Sequence, residues 1–521
     1  MNYPSKRNLV YGSKGMVATG NALAAQAGLE ILKKGGNAID AALATSLCLT
    51  VTECRSNGLG GDLFALVYYK GHYYGLNSHG SAPALLSPEA LKERGLDTIP
   101  TSGPEPITVP GLVAGISALQ ERFSQLTWEE LIGPARDYAR DGFALQPTHT
   151  IQLNRERLRY ENELGKIPSL QTWFDTYLQG RKEFKEGEIL KLPNQALALE
   201  ELARTKGRSF YKGRIAKDLD RYMKEVGGFL RKEDLEAFSP QWVEPLKTDY
   251  KNHIIYELPP SGQGLSVLMA LEVLKKTGYS HHLAVEAMKL SLYHLKLHMA
   301  DEGHMKHSIE EFLEDFPNKA QDIINDKASL PEDFDLMGSN TVYLCTADRE
   351  GNMISLIQSN YMGFGSGLVL PSWGIALHNR ACNFSLDPLS PNCLAPGKRP
   401  YHTIIPGFIE KPGHFRGPFG IMGAFMQPQG QLQILMNMIE EGLDPQAALD
   451  KPRWQWIGGA RLHLEKGYSK DLIEDLKNRG HQVEIIEDPI PFGRGEIILR
   501  YEDGRLVGAC EPRTDAQVAA W

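Results

Sequence analysis

The chain has only six cysteines in 521 residues. None lies in a CxxC pair and none stands beside histidine in metal-ligand spacing, so a disulfide scaffold and a zinc finger are both excluded. In so long a chain they read as reduced, mostly buried thiols. No run of about 20 apolar residues occurs, so no membrane-spanning helix is expected. The opening stretch MNYPSKRNLVYGSKGMVATG has basic residues but no apolar core behind them. A secretory leader is therefore not expected, and cytoplasm is the default location. No basic run stands out against a formal net charge of −8, which argues against a nucleic-acid partner.

Glycine, by contrast, is abundant at 51 residues, which implies many tight turns and close backbone approaches. Ala22–Lys34 is Ala/Leu-rich with helical period and closes on Gly35–Gly36, a helix C-cap signature. A second Ala-rich helix is predicted over Asn37–Leu49, small and apolar all round, suited to burial between layers. The loop Arg55–Asp62 feeds an apolar strand near Phe64–Tyr69 and a second near Tyr73–Leu76. Gly58–Gly61 (GLGG) is neither GxGxxG nor a Walker sequence and reads as a tight turn.

Residues 100–330 read as mostly helical, with helices at Gly115–Phe123, Trp128–Asp141, Asn194–Lys206, Arg214–Val226 and Gly264–Lys276. The loop Pro259–Gly264 (PPSGQG) opens the last of these. His294 and His298 are spaced i, i+4, yet without HExxH the run His281–Met305 reads as an amphipathic helix. No metal or cofactor is expected. From Met337 the pattern changes to strands and Gly-rich turns, and the polar Leu330–Asn340 (LPEDFDLMGSN) is the best candidate for a flexible boundary.

In Thr341–Ser359 (TVYLCTADREGNMISLIQS), two β-branched, apolar runs flank Asp348–Asn352 (DREGN), which predicts a hairpin. With Ala347 opposite Met353, Thr341 falls opposite Ser359. Opposed residues share a face with Cβ atoms roughly 5 Å apart, so two hydroxyls would meet there. Opposed Thr and Ser are also common on plain solvated strands, and the pairing alone favours that plainer reading.

Six blocks resemble the γ-glutamyltransferase family over nearly the whole chain. They are Gly15–Phe64 (with LEILKKGGNAIDAALA and GLGGD), TVPGLVAG, the hairpin with FGSGLVLPSWGIALHNRACNFS, APGKRPYHTIIP, GIMGA with QPQGQLQILMNMIEEGLDPQAALDKPRW, and Glu465–Gly467 with GACEPRTDAQVAAW. The resemblance implies a four-layer αββα sandwich of the N-terminal-nucleophile (Ntn) hydrolases, made by self-cleavage. The cut would fall between Asn340 and Thr341, leaving a heavy chain 1–340 and a light chain 341–521 interleaved in one domain. Thr341 would be the nucleophile. A threonine hydroxyl is weak unless a base stands beside it, and the freed α-amine, with a pKa of about 8, supplies one. Ser359 matches a family hydroxyl that contacts the nucleophile. Gly423 and Ala424 match a Gly-Gly pair whose N–H groups bind the oxyanion; Ala424 keeps its N–H and loses only the freedom of positive φ.

The substrate-binding positions depart from the well-known transpeptidases. Asn383 stands where an acid would hold the α-ammonium, and Arg380 where an amide side chain is expected. Tyr361 replaces an asparagine, His402 and Thr403 replace two serines, and an arginine expected before Ala82–Pro83 gives way to a neighbourhood holding His79 and Ser81. This pattern resembles the branch of cephalosporin acylases and oxamate amidohydrolases, whose substrates carry an acid but no ammonium. The expected partner is thus a small amide bearing a carboxylate. The family's formal activity is γ-glutamyl transfer and glutathione hydrolysis. An acylase or amidase acting on dicarboxylate monoamides is the rival within enzymes. An inactive binding protein on the same scaffold is the rival outside them, and intact Thr341, Ser359 and Gly423 argue against it.

Overall fold

The structure is a computed structural model that describes residues 7–331 and 340–521. The expected boundary at Leu330–Asn340 falls largely on residues outside those described.

Two seven-stranded antiparallel sheets stack face to face. The first runs Gln517–Ala520, Gly15–Thr19, Asn340–Asp348, Met353–Tyr361, Asp62–Tyr69, His72–Ser78, Gln241–Val243. The second runs Val10–Gly12, Leu506–Cys510, Arg494–Tyr501, Phe415–Met422, Gly407–Lys411, His253–Glu257, Leu246–Tyr250. Both sheets combine strands from before and from after residue 340. Alternation along Asn340–Asp348 sends Tyr343, Cys345 and Ala347 into the space between the sheets and Val342 and Leu344 toward the helices.

Helices close both outer faces. Ala22–Lys33 and Ala38–Thr52 cover the first sheet, with Asn21 and Asn37 as N-caps. Every residue of Ala38–Thr52 is buried, as its small, apolar surface requires. Leu265–Thr277, His281–His298 and Met426–Ile439 cover the second sheet. The fold is the expected αββα sandwich.

The hairpin register agrees with the sequence from Val342↔Gln358 to Ala347↔Met353. Asp348 ties the turn: its carboxylate accepts from Asn352 N at 3.0 Å and from Ala38 N, at the head of the buried helix, at 3.0 Å. Three expectations need correction. The stretch 100–330 also carries sheet strands at Gln241–Val243, Leu246–Tyr250 and His253–Glu257. The helix from His281 stops at His298 rather than Met305. The ladder is irregular between Asn340 and Val342, where Asn340 pairs with Tyr361, so Thr341 and Ser359 meet across a bulge and not as a regular pair.

Candidate active site

Thr341 is fully buried at the head of its strand, and its hydroxyl donates to Ser359 Oγ at 3.2 Å. Ser359 Oγ also accepts the Tyr361 N–H at 2.8 Å. The bulge makes this possible. It turns Tyr361 into the left-handed region, φ 73°, and folds its amide back onto the Ser359 hydroxyl. Thr341 looks into the inter-sheet space beside Tyr343, and Tyr343 lies on Gly420, where any Cβ would strike its ring. Gly420 belongs to Phe415–Met422, the strand that leads into Gly423 and Ala424.

Those two residues form the corner between that strand and the helix Met426–Ile439. Their carbonyls accept from Met426 N (2.9 Å) and Gln427 N (3.0 Å). Gly423 has φ 131°, and Ala424 has φ 51°. Ala424 has therefore not given up the positive φ that the sequence reading denied it; it adopts that conformation against the steric preference of its Cβ.

Across the strand from Ser359 lies Asp62, which the sequence reading quoted in GLGGD without giving it a role. It is fully buried. Its Oδ1 accepts Gly111 N at 3.1 Å, while Oδ2 faces His378 Nδ1 at 3.2 Å, His402 Nε2 at 3.1 Å and Arg380 Nε at 3.6 Å. Burial alone would raise its pKa, but His378 and His402 outweigh burial and hold the carboxyl well below its ordinary range. His402 is pushed down to about 3, first by burial and then by Arg380. Its Nδ1 accepts Ile404 N at 3.3 Å, so the neutral ring carries its proton on Nε2, toward Asp62. His79 lies 5.0 Å from the His402 ring and contacts Ser261 Oγ at 3.1 Å; burial depresses its pKa well below the usual histidine value.

Arg380 is wholly buried, with Nη1 donating to Thr403 Oγ1 at 3.0 Å and its guanidinium 4.6 Å from the centre of the Tyr361 ring. Burial lowers its pKa to about 10 against the pull of Asp62, so it stays charged at neutral pH. Its Nη2 is buried without a hydrogen-bond partner. Tyr361 thus stands between Arg380 and a cleft of about 360 Å³. Tyr361, Asn383, Tyr401, Phe425, Lys296 and Leu297 line that cleft, and Asn383 Nδ2 is likewise buried and unpartnered. None of the described residues lining it is acidic.

Two other places merit comparison. An open charged groove of about 830 Å³ lies between Ala22–Lys33 and Trp128–Asp141, and none of the groups above lines it. His282, Glu286 and His481 bring ligand atoms within 4.8 Å of one another. The Lys289 ammonium, 2.8 Å from Glu286 Oε1, and Ser329 N, 2.9 Å from Oε2, already satisfy that carboxylate. The cluster is a polar network that pins residues 325–329, with His282 Nε2 donating to Asn325 O at 2.8 Å. His294 and His298 pack ring to ring at 4.5 Å, and His294 stacks on Phe316 at 4.6 Å.

Of the residues the sequence analysis singled out, the structure packs Arg380, Tyr361, His402, Thr403 and His79 close to one another, and it adds Asp62 and His378, to which the sequence analysis gave no role. The signal for Asp62 was its place as the acid ending a glycine loop that opens a strand. His378 stood within the quoted HNRACNFS.

The sequence model of the family described as Gamma-glutamyltranspeptidase matches residues 24–521. A glutathione hydrolase-like proenzyme of Bacillus subtilis (strain 168) is 33% identical over 97% of this chain and 98% of its own length. An oxamate amidohydrolase proenzyme of Klebsiella pneumoniae is 31% identical over 97% of this chain and 98% of its own. The crystal structure of a cephalosporin acylase from Bacillus halodurans is 45% identical, superposes with a TM-score of 0.95, and covers 100% of this chain and 98% of that one. With the sandwich and the threonine-headed hairpin both in place, the chain is an enzyme of the γ-glutamyltranspeptidase family of Ntn hydrolases.

Proposed function

We propose that the chain cuts itself between Asn340 and Thr341 and that Thr341 then cleaves amide bonds through an acyl-enzyme. The heavy chain would be 1–340 and the light chain 341–521. The observation that carries this reading is the Thr341 hydroxyl, 3.2 Å from Ser359 Oγ at the head of a central strand. In the mature enzyme the freed α-amine takes the hydroxyl proton as Oγ attacks the substrate carbonyl. The N–H groups of Gly423 and Ala424 receive the oxyanion. Collapse expels the amine with that proton and leaves a threonine ester. Water, or an acceptor amine, then attacks the ester and releases the acyl group. Before cleavage the same nitrogen is an amide and is no base, so processing and activity are coupled.

The acyl group is read by the cleft. The family's γ-glutamyl compounds, glutathione among them, carry both an ammonium and a carboxylate. Here the neutral Asn383 offers a buried donor, Nδ2, to the cleft, and Arg380 offers a second, Nη2, behind Tyr361. Asp62, the one nearby carboxylate described above, is already engaged by His378, His402 and Arg380. This supports an acyl group with a carboxylate and no ammonium, such as the glutaryl or oxalyl group; the names of the acylase and the oxamate amidohydrolase point the same way. Incubation with γ-glutamyl, glutaryl and oxalyl anilides, followed by mass spectrometry of the light chain, tests both parts. The expected result is an acyl adduct on the 341–521 fragment, formed faster from the ammonium-free compounds. No adduct from any of the three would overturn the reading.

A further inference from the structure

Gln263 sits in the loop Pro259–Gly264 and is wholly buried. Each polar atom of its side chain is used. Nε2 donates to Thr403 O at 2.7 Å and to Ala424 O at 2.8 Å, and Oε1 accepts the Tyr401 hydroxyl at 3.0 Å. Its backbone N donates to His402 O at 3.1 Å. A side chain with two amide hydrogens and one strong acceptor is what bridging two carbonyls and a hydroxyl requires. One glutamine therefore links the segment that carries His402 and Thr403 to the corner that carries Ala424.

Ala424 is where such a link has most effect. An alanine at φ 51° occupies a conformation its Cβ disfavours, and it persists only where the surroundings over-determine it. The orientation of the 423–424 peptide, and so of the Ala424 N–H, depends on which backbone basin Ala424 occupies. A donor that fixes the Ala424 carbonyl fixes that basin.

We propose that Gln263 is a positioning residue for this reaction, holding Ala424 left-handed so that its N–H stays aimed at the reacting carbonyl. The inference rests on the reading of Gly423 and Ala424 as oxyanion donors. It predicts a specific coupling. Glycine populates positive φ freely, so a glycine at this corner needs no clamp. The loss caused by Gln263→Met should therefore shrink once Ala424→Gly is also present.

The test is a double-mutant cycle on purified, processed protein, read by single-turnover release of p-nitroaniline from glutaryl- and γ-glutamyl-p-nitroanilide, using the faster of the two. In the native background, Gln263→Met should lower the acylation rate at least about tenfold with little change in KM, since misaimed donors affect the transition state more than binding. In the Ala424→Gly background the same substitution should lower it by a clearly smaller factor. Equal factors in the two backgrounds, or an unchanged rate on Gln263→Met, would overturn the clamp. If Gln263→Met does not fold, Gln263→Glu takes its place. A glutamate donates to a carbonyl only when protonated, so its rate relative to the native enzyme should recover as pH falls; a ratio flat with pH overturns the proposal. A protein never cut at Asn340–Thr341 would instead sink the assignment of the nucleophile, which the mass of the fragments reports separately.

Discussion

The hydroxyls of Thr341 and Ser359 lie 3.2 Å apart although the β-ladder passes over residue 341. A regular pair would have set both side chains side by side and left Ser359 free to rotate. The bulge instead makes Ser359 accept from the Tyr361 N–H while it contacts Thr341, so one serine oxygen is fixed from two directions. In the proposed mechanism, processing and turnover both pass through this contact.

Thr341→Ala removes the oxygen that attacks in both steps of the proposed mechanism. The purified variant should run as one chain of full mass, whereas the native protein should give fragments 1–340 and 341–521 by mass spectrometry. An active native protein with an intact chain would show that another residue carries the chemistry.

Ser359→Ala deletes the acceptor of a buried N–H as well as the partner of the nucleophile. Leaving a buried donor unsatisfied costs about 1–3 kcal/mol. The fold should survive, while processing or turnover slows by about tenfold or more, taking about 1.4 kcal/mol per decade. Ser359→Thr keeps the oxygen and should retain most of the rate. Unchanged kinetics for Ser359→Ala would mean the hydroxyl is idle.

The parts of the fold legible in the sequence are those encoded over short distances. Asn21 and Asn37 cap helices a few residues away, and Asp348–Asn352 closes its hairpin locally. The strands Leu246–Tyr250 and His253–Glu257 were hidden because LKTDY, the edge strand, mixes charge into a short run, and because His253–Glu257 joins the sheet through Gly407–Lys411, more than a hundred residues downstream. The Asp62 cluster gathers Asp62, His378, Arg380 and His402 from over 300 positions apart, a meeting that spacing cannot reveal. The left-handed Ala424 was invisible for a different reason: intrinsic preference points the other way, and tertiary hydrogen bonds override it.

Acid should destabilise the protein well above the range of its carboxylates. Burial pushes His149 down to about 3 with help from Arg55, and His402 to about 3 with help from Arg380. Burial and Lys289 push His481 to about 4. In the unfolded chain each returns to a pKa of about 6.5. The unfolded state therefore binds more protons across the window from about 6.5 down to about 3 to 4, and stability falls as pH drops through it. Above about 6.5 these groups are neutral in both states and impose no slope. Denaturation midpoints at pH 7, 6 and 5 should fall in that order. His149→Gln should flatten the slope, since among the described residues the His149 ring makes its one polar contact with Cys54 Sγ at 3.9 Å and its buried Nδ1 has no hydrogen-bond partner. A midpoint constant from pH 7 to 5 would contradict the burial of these rings as neutral groups.

Substrate choice is the sharpest test of the cleft. A γ-glutamyl group entering beside Asn383 brings its ammonium into a site with Lys296 on its wall and Arg380 behind Tyr361, while the Asp62 carboxylate is already shared among His378, His402 and that same arginine. Placing an uncompensated charge in a desolvated site costs several kcal/mol. A glutaryl or oxalyl group brings the carboxylate alone and avoids that cost. The native enzyme should thus show higher kcat/KM for glutaryl and oxalyl amides than for the matching γ-glutamyl amide. Asn383→Asp sets an anion on the cleft wall, where the ammonium would meet it, and at the same time repels the carboxylate of the smaller groups. The preference should move toward γ-glutamyl amides by about tenfold for each ~1.4 kcal/mol recovered. Kinetics on the three amides with both proteins decide the matter. If the native enzyme already favours γ-glutamyl amides strongly, some other anion binds the ammonium, and Arg380 and Asn383 do not set the specificity of this cleft.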